Sequence, residues 1–321
     1  MELLEHLEDR GYPAEYLLSR IRGRRSRLIT DWRPLIYDAG PLDYLASSRY
    51  QGFVRERSAE GIWKSLIREY RWVYTQLNEE LRKLFTPFFL HAELRTLFIC
   101  LRHMGDRKAG GVDELLSLSL LSPMLKAALL ESVDLPEAVR RIERAFAAFS
   151  PRFGGLTEIY DAEGLRGGEQ FITNTYLSVA AEQRLPPLLR EFFSRLIDSR
   201  NILGLYKNMR LEEKARAPFI AGGSIAAGKL KAVLEKGDLF GISAVVREFS
   251  GIRIGTPDPT QVEMALYKGI TRFLRRAGRS PFGVGPILDY LWRCSLEVMN
   301  LSVLLYGKDL ERDTVAAELV Q

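Results

Sequence analysis

Apolar residues recur at steps of three and four along most of the chain, with charged residues filling the intervals. In EGIWKSLIREYRWVYTQLNEELRKLF the positions Ile62, Leu66, Ile67, Tyr70, Val73, Tyr74, Leu77, Leu81 and Leu84 keep that period. Such spacing puts them on one face of a helix and predicts a single helix of about 25 residues. Comparable stripes run through LPEAVRRIERAFAAF, PPLLREFFSRLIDSRNILGLYKNM, QVEMALYKGITRFLRRA and GPILDYLWRCSLEVMNLSVLLYG. No alternating apolar and polar run bounded by turn residues breaks the series, so the expected fold class is all-α.

The helices repeat. LKAALLESVDL at 125–135 and LKAVLEKGDL at 230–239 nearly coincide, and Leu125 to Leu230 and Leu129 to Leu234 are both 105 residues apart. Asp198 and Asn201 stand three apart before Ile202, as Glu93 and Thr96 do before Leu97, again at an offset of 105. A third acid–amide pair, Glu297 and Asn300, precedes Leu301, and GPLDYLASSRY at 40–50 loosely resembles the first helix of the other copies. Repetition, at an offset of 105 between the first two pairs and 99 between the second and third, divides the chain into three helical lobes, 1–110, 111–216 and 217–321. The joins are expected near GDRKAGG at 105–111 and EEKARAPF at 212–219, both rich in breaker or turn residues. Residues three apart share one helix face. A polar pair on an otherwise apolar face must find partners, and the expectation is that each pair binds loop or helix-end backbone groups and fixes how lobes meet.

One stretch suggests different chemistry. FIAGGSIAAGKLKAV contains Gly223, Gly228 and Lys229 in the frame of a phosphate-cradling loop. Leu230 stands where a Ser or Thr would hold Mg²⁺. Under the 105 offset the frame falls on Leu118, Pro123 and Met124, so the same helix begins in the second lobe without a glycine cradle. The glycines are therefore read as a turn that opens a helix, and Ser224 as that helix's N-cap.

Charge and composition narrow the classes further. The 321 residues carry 46 Lys and Arg against 41 Asp and Glu, a net charge of +5 on a mixed surface, which permits an anionic partner without requiring one. SRIRGRRSRL places Arg20, Arg24 and Arg27 on one face with Arg22 and Arg25 beside them, a candidate partner-facing basic cluster. His6, His91 and His103 lack acidic or Cys partners at ligand spacing, so no metal or other cofactor is expected. Cys100 and Cys294 lie in apolar stretches as reduced core residues. The acidic N-terminus does not read as a signal peptide, and FTPFFLHAELRTLFICL is interrupted by Glu93 and Arg95. No transmembrane span and a cytoplasmic location are expected. No catalytic constellation is found.

Taken together, Phe219-Ile-Ala-Gly222-Gly223, Asp198 with Asn201, Pro281-Phe282 with Gly285, Glu297 with Asn300, and the early Tyr16 to Arg22 segment resemble the C-subunit family of archaeal and bacterial A/V-type rotary ATPases. That family is the counterpart of the d-subunit of eukaryotic vacuolar ATPases. The resemblance covers nearly the whole chain, with the motifs in order. It implies a funnel of three lobes without an active site, on the cytoplasmic side of the membrane. There it would join the central shaft subunits to the membrane proteolipid ring, with no nucleic acid partner and H⁺ or Na⁺ transport coupled to ATP elsewhere in the machine. Thr96 in place of an amide and Ala221 in place of a frequent proline depart from the pattern. The residues leave two other readings open, a stand-alone helical-repeat adaptor or nucleic-acid binder, and a nucleotide hydrolase using residues 223–229.

Overall fold

Residues 2–38, 45, 48–51, 54, 59–106, 112–211, 218–255 and 257–320 are described by a computed structural model. Among them are fourteen α-helices and one short 3-10 turn, Pro151–Phe153, and the sole β-type pairing is an isolated antiparallel bridge between Leu4 and Leu121. The fold is all-α, as the periodicity requires. The four cleanest stripes are the helices Leu135–Phe149, Pro187–Asn208, Pro259–Ala277 and Gly285–Tyr306. Their starts follow local rules. Asp134 accepts from Glu137 N at 2.8 Å while Glu137 accepts from Val133 N at 2.9 Å, a reciprocal cap, and Asp258 accepts from Gln261 N at 3.0 Å.

The long stripe over 60–85 is two helices rather than one, Ala59–Gln76 and Glu79–Gly105. Asn78 ends the first by capping the second: its side chain accepts from Leu81 N at 2.9 Å, and Asp9 accepts from Glu79 N at 2.8 Å. With Glu79 and Glu80 in the first turn this is a strong helix start. The apolar phase continues across it, which is why periodicity alone joins the two. A further helix, Leu156–Glu182, carries no clean stripe because Gly164 bends it with φ 71 and ψ −168.

Contacts group the chain into two units, residues 1–14 with 70–184, and residues 15–69 with 185–321. In the first, Tyr74 and Phe89 meet edge to face at 5.1 Å between centroids, and Phe146 lies 4.9 Å from Phe153. The Glu79–Gly105 and Leu156–Glu182 helices pack together there, and Tyr176 Oη donates to Pro87 O at 2.8 Å. By length and composition Glu79–Gly105 could cross a membrane, although the sequence pattern argued against a span. It is a core helix: Phe85, Phe89, Leu97 and Cys100 are fully buried.

In the second unit, Ile202, Leu205, Leu230, Val246 and Leu266 form a continuous core. The Pro259–Ala277 helix packs against both Pro187–Asn208 and Gly285–Tyr306, and Trp292 Nε1 donates to Thr271 Oγ1 at 3.0 Å. The expected lobe joins fall largely on 107–111 and 212–217, and most of GPLDYLASSRY on 40–44 and 46–47, all outside the described residues.

Candidate functional site: buried carboxylate clasps

Asp198 is fully buried on the Pro187–Asn208 helix, with Asn201 on the same face and 4% exposed. Asp198 Oδ2 accepts from Ser224 N at 3.0 Å and from Ser224 Oγ at 2.5 Å, while Oδ1 accepts from Ile225 N at 3.0 Å. Asn201 makes a two-point grip on one residue: Oδ1 accepts from Ile220 N at 2.8 Å and Nδ2 donates to Ile220 O at 2.9 Å. The loop 220–225 is thus fastened to the helix at both ends. Gly222 turns it with φ 101, which favours glycine. Gly223 lies so close to Asp198 that a Cβ would overlap the carboxylate.

This geometry decides what the glycine frame does. Two successive amides and a hydroxyl converge as they would on a phosphate oxygen, but the chain's own Asp198 fills the cradle. Lys229 pairs with Glu248 instead of pointing into the loop. Ser224 is not the N-cap the sequence suggested. Ala226 holds that position for the Ala227–Lys236 helix, and the Ser224 hydroxyl acts as a donor to Asp198. Leu230 and Leu125 are both fully buried, matching their alignment in the repeat.

The other acid–amide pairs use the same chemistry. Asn300 repeats the two-point grip on Val320, with Oδ1 accepting from Val320 N at 3.0 Å and Nδ2 donating to Val320 O at 2.9 Å. Glu93 accepts from Ser119 Oγ and Leu120 N, both at 2.8 Å. Ser119 and Leu120 stand 105 residues before Ser224 and Ile225, so the donors obey the same offset as the acceptors. Thr96 has no amide for a two-point grip; Leu120 N and Ser119 Oγ, which donate to Glu93, oppose the burial that raises its carboxyl above the usual range.

Glu297 takes its donors from far along the chain. It accepts from Ile29 N, from the Arg49 guanidinium, and from Tyr50 Oη at 2.8 Å. Arg49 Nη1 also donates to Cys294 Sγ at 3.2 Å and lies 3.9 Å from Glu69. Glu69 accepts from Tyr290 Oη and Arg24 Nη1, each at 2.7 Å. Burial holds the Tyr50 and Tyr290 phenols protonated and pushes the Cys294 thiol up to about 12. Arg49, Tyr50, Glu69, Asp289 and Tyr290 did not figure among the sequence candidates. The signal for Glu69 and Asp289 was there: each is an acid within an apolar helical run, Glu69 beside Leu66, Ile67 and Tyr70, Asp289 between Leu288 and Tyr290.

Most of the arginine cluster is turned onto its own unit. Arg24 pairs with Glu69. Arg25 Nη2 lies 2.9 Å from Asp289 and its Nη1 donates to Gly278 O at 3.2 Å, and Arg22 Nη2 donates to Pro281 O at 2.7 Å. Arg20 donates to Tyr16 Oη at 2.6 Å, and Arg27 lies exposed beyond the helix that ends at Arg25. Burial raises the Asp289 carboxyl, against the pull of Arg25, Arg293 and Arg275. Pro281 thus receives Arg22, whereas the Phe282 ring is 68% exposed. Gly285 opens the last long helix where a Cβ would collide with Ala277 O. His6 sits near Glu2, and His91 stacks on Tyr176 at 6.3 Å. Among the described residues no group of three or more His, Cys, Asp or Glu side chains is placed to hold a metal.

The paired grips predict a graded result. Replacing Asn201 or Asn300 by leucine orphans one backbone N–H and one C=O, at about 1–3 kcal/mol for each group left without a partner. Val320 is buried while Ile220 is half-buried and can recruit water, so Asn300→Leu should lower the urea unfolding midpoint more than Asn201→Leu. Equal midpoints for both variants and the unaltered chain would exclude a clasping role.

Comparison with known proteins converges on one family. The family model for the ATP synthase (C/AC39) subunit matches residues 17–317. The A-type ATP synthase C-subunit of Methanocaldococcus jannaschii is 26% identical over 145 residues, an alignment covering 41% of this chain. The match spans 36% of that relative's length, little more than a third.

Proposed function

The chain belongs to the ATP synthase (C/AC39) subunit family, and from that premise we propose that it is a non-catalytic central-stalk subunit of an A/V-type ATPase. In this role it joins the foot of the central shaft to the cytoplasmic face of the membrane ion-translocating ring, as a peripheral component of the rotor. ATP chemistry belongs to other subunits, and proton or sodium transport depends on this chain for coupling. The observation that carries the reading is the family match over 17–317.

The clasps supply a physical rationale. A part that transmits torque must not yield, and loops held by buried carboxylates and amides on helices resist sliding more than loops held by exposed pairs. The shared offset of the Glu93 and Asp198 clasps supports reading the chain as three related lobes, 1–110, 111–216 and 217–321. The nucleotide-hydrolase alternative loses its main support because the amides of Ser224 and Ile225 are engaged by Asp198.

The test is coupling. A tagged copy expressed in its own cells should co-elute, from detergent-solubilised membranes, with ATP-hydrolysing head subunits and the proteolipid ring. Membranes lacking the chain should lose ATP-driven ion uptake while the soluble head keeps its hydrolysis. Recovery of the chain only as a soluble monomer, or ion uptake undiminished without it, would overturn the proposal.

A further inference from the structure

Beside the Glu297 clasp lies a cavity of about 110 Å³. Its apolar wall is Leu28, Trp32 and Leu296, and its polar lining includes Arg275 from the Pro259–Ala277 helix together with Arg293, Glu297 and Asn300 from Gly285–Tyr306. The neighbouring charges are already matched. Glu297 is paired with Arg49 and Asp289 with Arg25. Arg275 and Arg293 act on Asp289 electrostatically but join no hydrogen bond or ion pair among the described residues. With Glu69 and its partner Arg24 included, five arginines (Arg24, Arg25, Arg49, Arg275 and Arg293) stand against three carboxylates (Glu69, Asp289 and Glu297), and the excess of two positive charges is carried by the two arginines that line the cavity.

We propose that this cavity binds a phosphate-type oxyanion held between Arg275 and Arg293. The geometry favours a tetrahedral anion over a carboxylate. A carboxylate offers two oxygens and satisfies one guanidinium fork, whereas phosphate offers enough oxygens to accept from two forks arriving on different helices. The cavity is roomy enough for several waters and so for one such anion. The cavity contains no residue of the glycine loop, and an anion could bind in it whether or not the chain is a stalk subunit. The same chemistry has two sources, free inorganic phosphate or the headgroup phosphate of an anionic lipid.

Two probes separate them, with the full chain in both. Line broadening of inorganic phosphate in ³¹P NMR should be saturable and should weaken about tenfold in Arg275→Ala and again in Arg293→Ala, the worth of one charge-assisted pair. That outcome assigns the free anion. Sedimentation with phosphatidylcholine vesicles only when phosphatidylglycerol is added, lost in the same two variants, supports the site with the headgroup as its source. Arg166→Ala, exposed and in the other unit, is the charge control and should bind like the unaltered chain. Arg275 is exposed, so its substitution leaves the core intact, and an unchanged thermal melt verifies this. Response to neither probe, or responses equal in all variants, overturns the proposal. So does retention on polyglutamate alone through the same two arginines, which would point to an acidic protein partner.

Discussion

Replacing Glu297 by leucine is expected to destabilise the unit that contains it by about 3 kcal/mol or more, at the lower end of the range for breaking a buried ion pair. The cost comes from what is left behind. Arg49, the buried Tyr50 hydroxyl and the Ile29 amide all lose the Glu297 acceptor, and Arg49 keeps only the weak acceptor Cys294 Sγ at 3.2 Å and Glu69, 3.9 Å away. Set against a typical total of about 5–15 kcal/mol, that is a large fraction of the stability. The urea midpoint should fall with little change in slope, since the native surface is unchanged. The double variant Arg49→Met with Glu297→Leu should recover part of the loss, because an apolar pair needs no compensation for buried charge. An unchanged midpoint in Glu297→Leu, or additive losses in the double variant, would mean that the pair contributes no coupling.

The part of this clasp that lies on one helix was legible in the sequence. Glu297 and Asn300 stand out as polar residues three apart within an apolar run, and two further copies raise the pattern above accident. Their partners were not legible, even when near in the chain: Asp198 reaches Ser224 and Ile225 at 26 and 27 residues, within one repeat, and the sequence pattern pairs it with neither. Glu297 reaches Ile29, Arg49 and Tyr50 some 250 residues back, and no local periodicity encodes such a pairing. Helices obeyed the same division. Where the stripe was uninterrupted, as over Leu135–Phe149, element and pattern coincide. Where a single residue changes the backbone, as Asn78 does by capping and Gly164 by its positive φ, a pattern of side-chain character does not register it. Ser224 illustrates a third limit. A serine before a helix can accept from that helix or donate to another element, and the choice rested on a buried carboxylate 26 residues earlier.

The second large effect lies in the glycine frame itself and separates a clasp from a phosphate loop. Gly223→Ala should cost about 3 kcal/mol, combining overpacking with disturbed hydrogen bonds. The added methyl would overlap Asp198 Oδ1 and lie 3.2 Å from Ile197 Cγ2. Asp198 is fully buried and cannot withdraw without releasing Ser224 and Ile225. Gly222→Ala, strained at φ 101, should cost about 1–2 kcal/mol. Gly228 behaves differently: it lies in the first turn of the Ala227–Lys236 helix, and a methyl added there would meet nothing within 4 Å. Gly228→Ala should therefore be neutral or stabilise by up to about 1 kcal/mol. In a phosphate-cradling loop both glycines of the frame would be needed for close approach of backbone to ligand. Thermal melts of the three variants decide the matter: damage at Gly223 with tolerance at Gly228 is the signature of a loop clasped by its own carboxylate. Equal tolerance at both positions would remove the steric basis of the clasp.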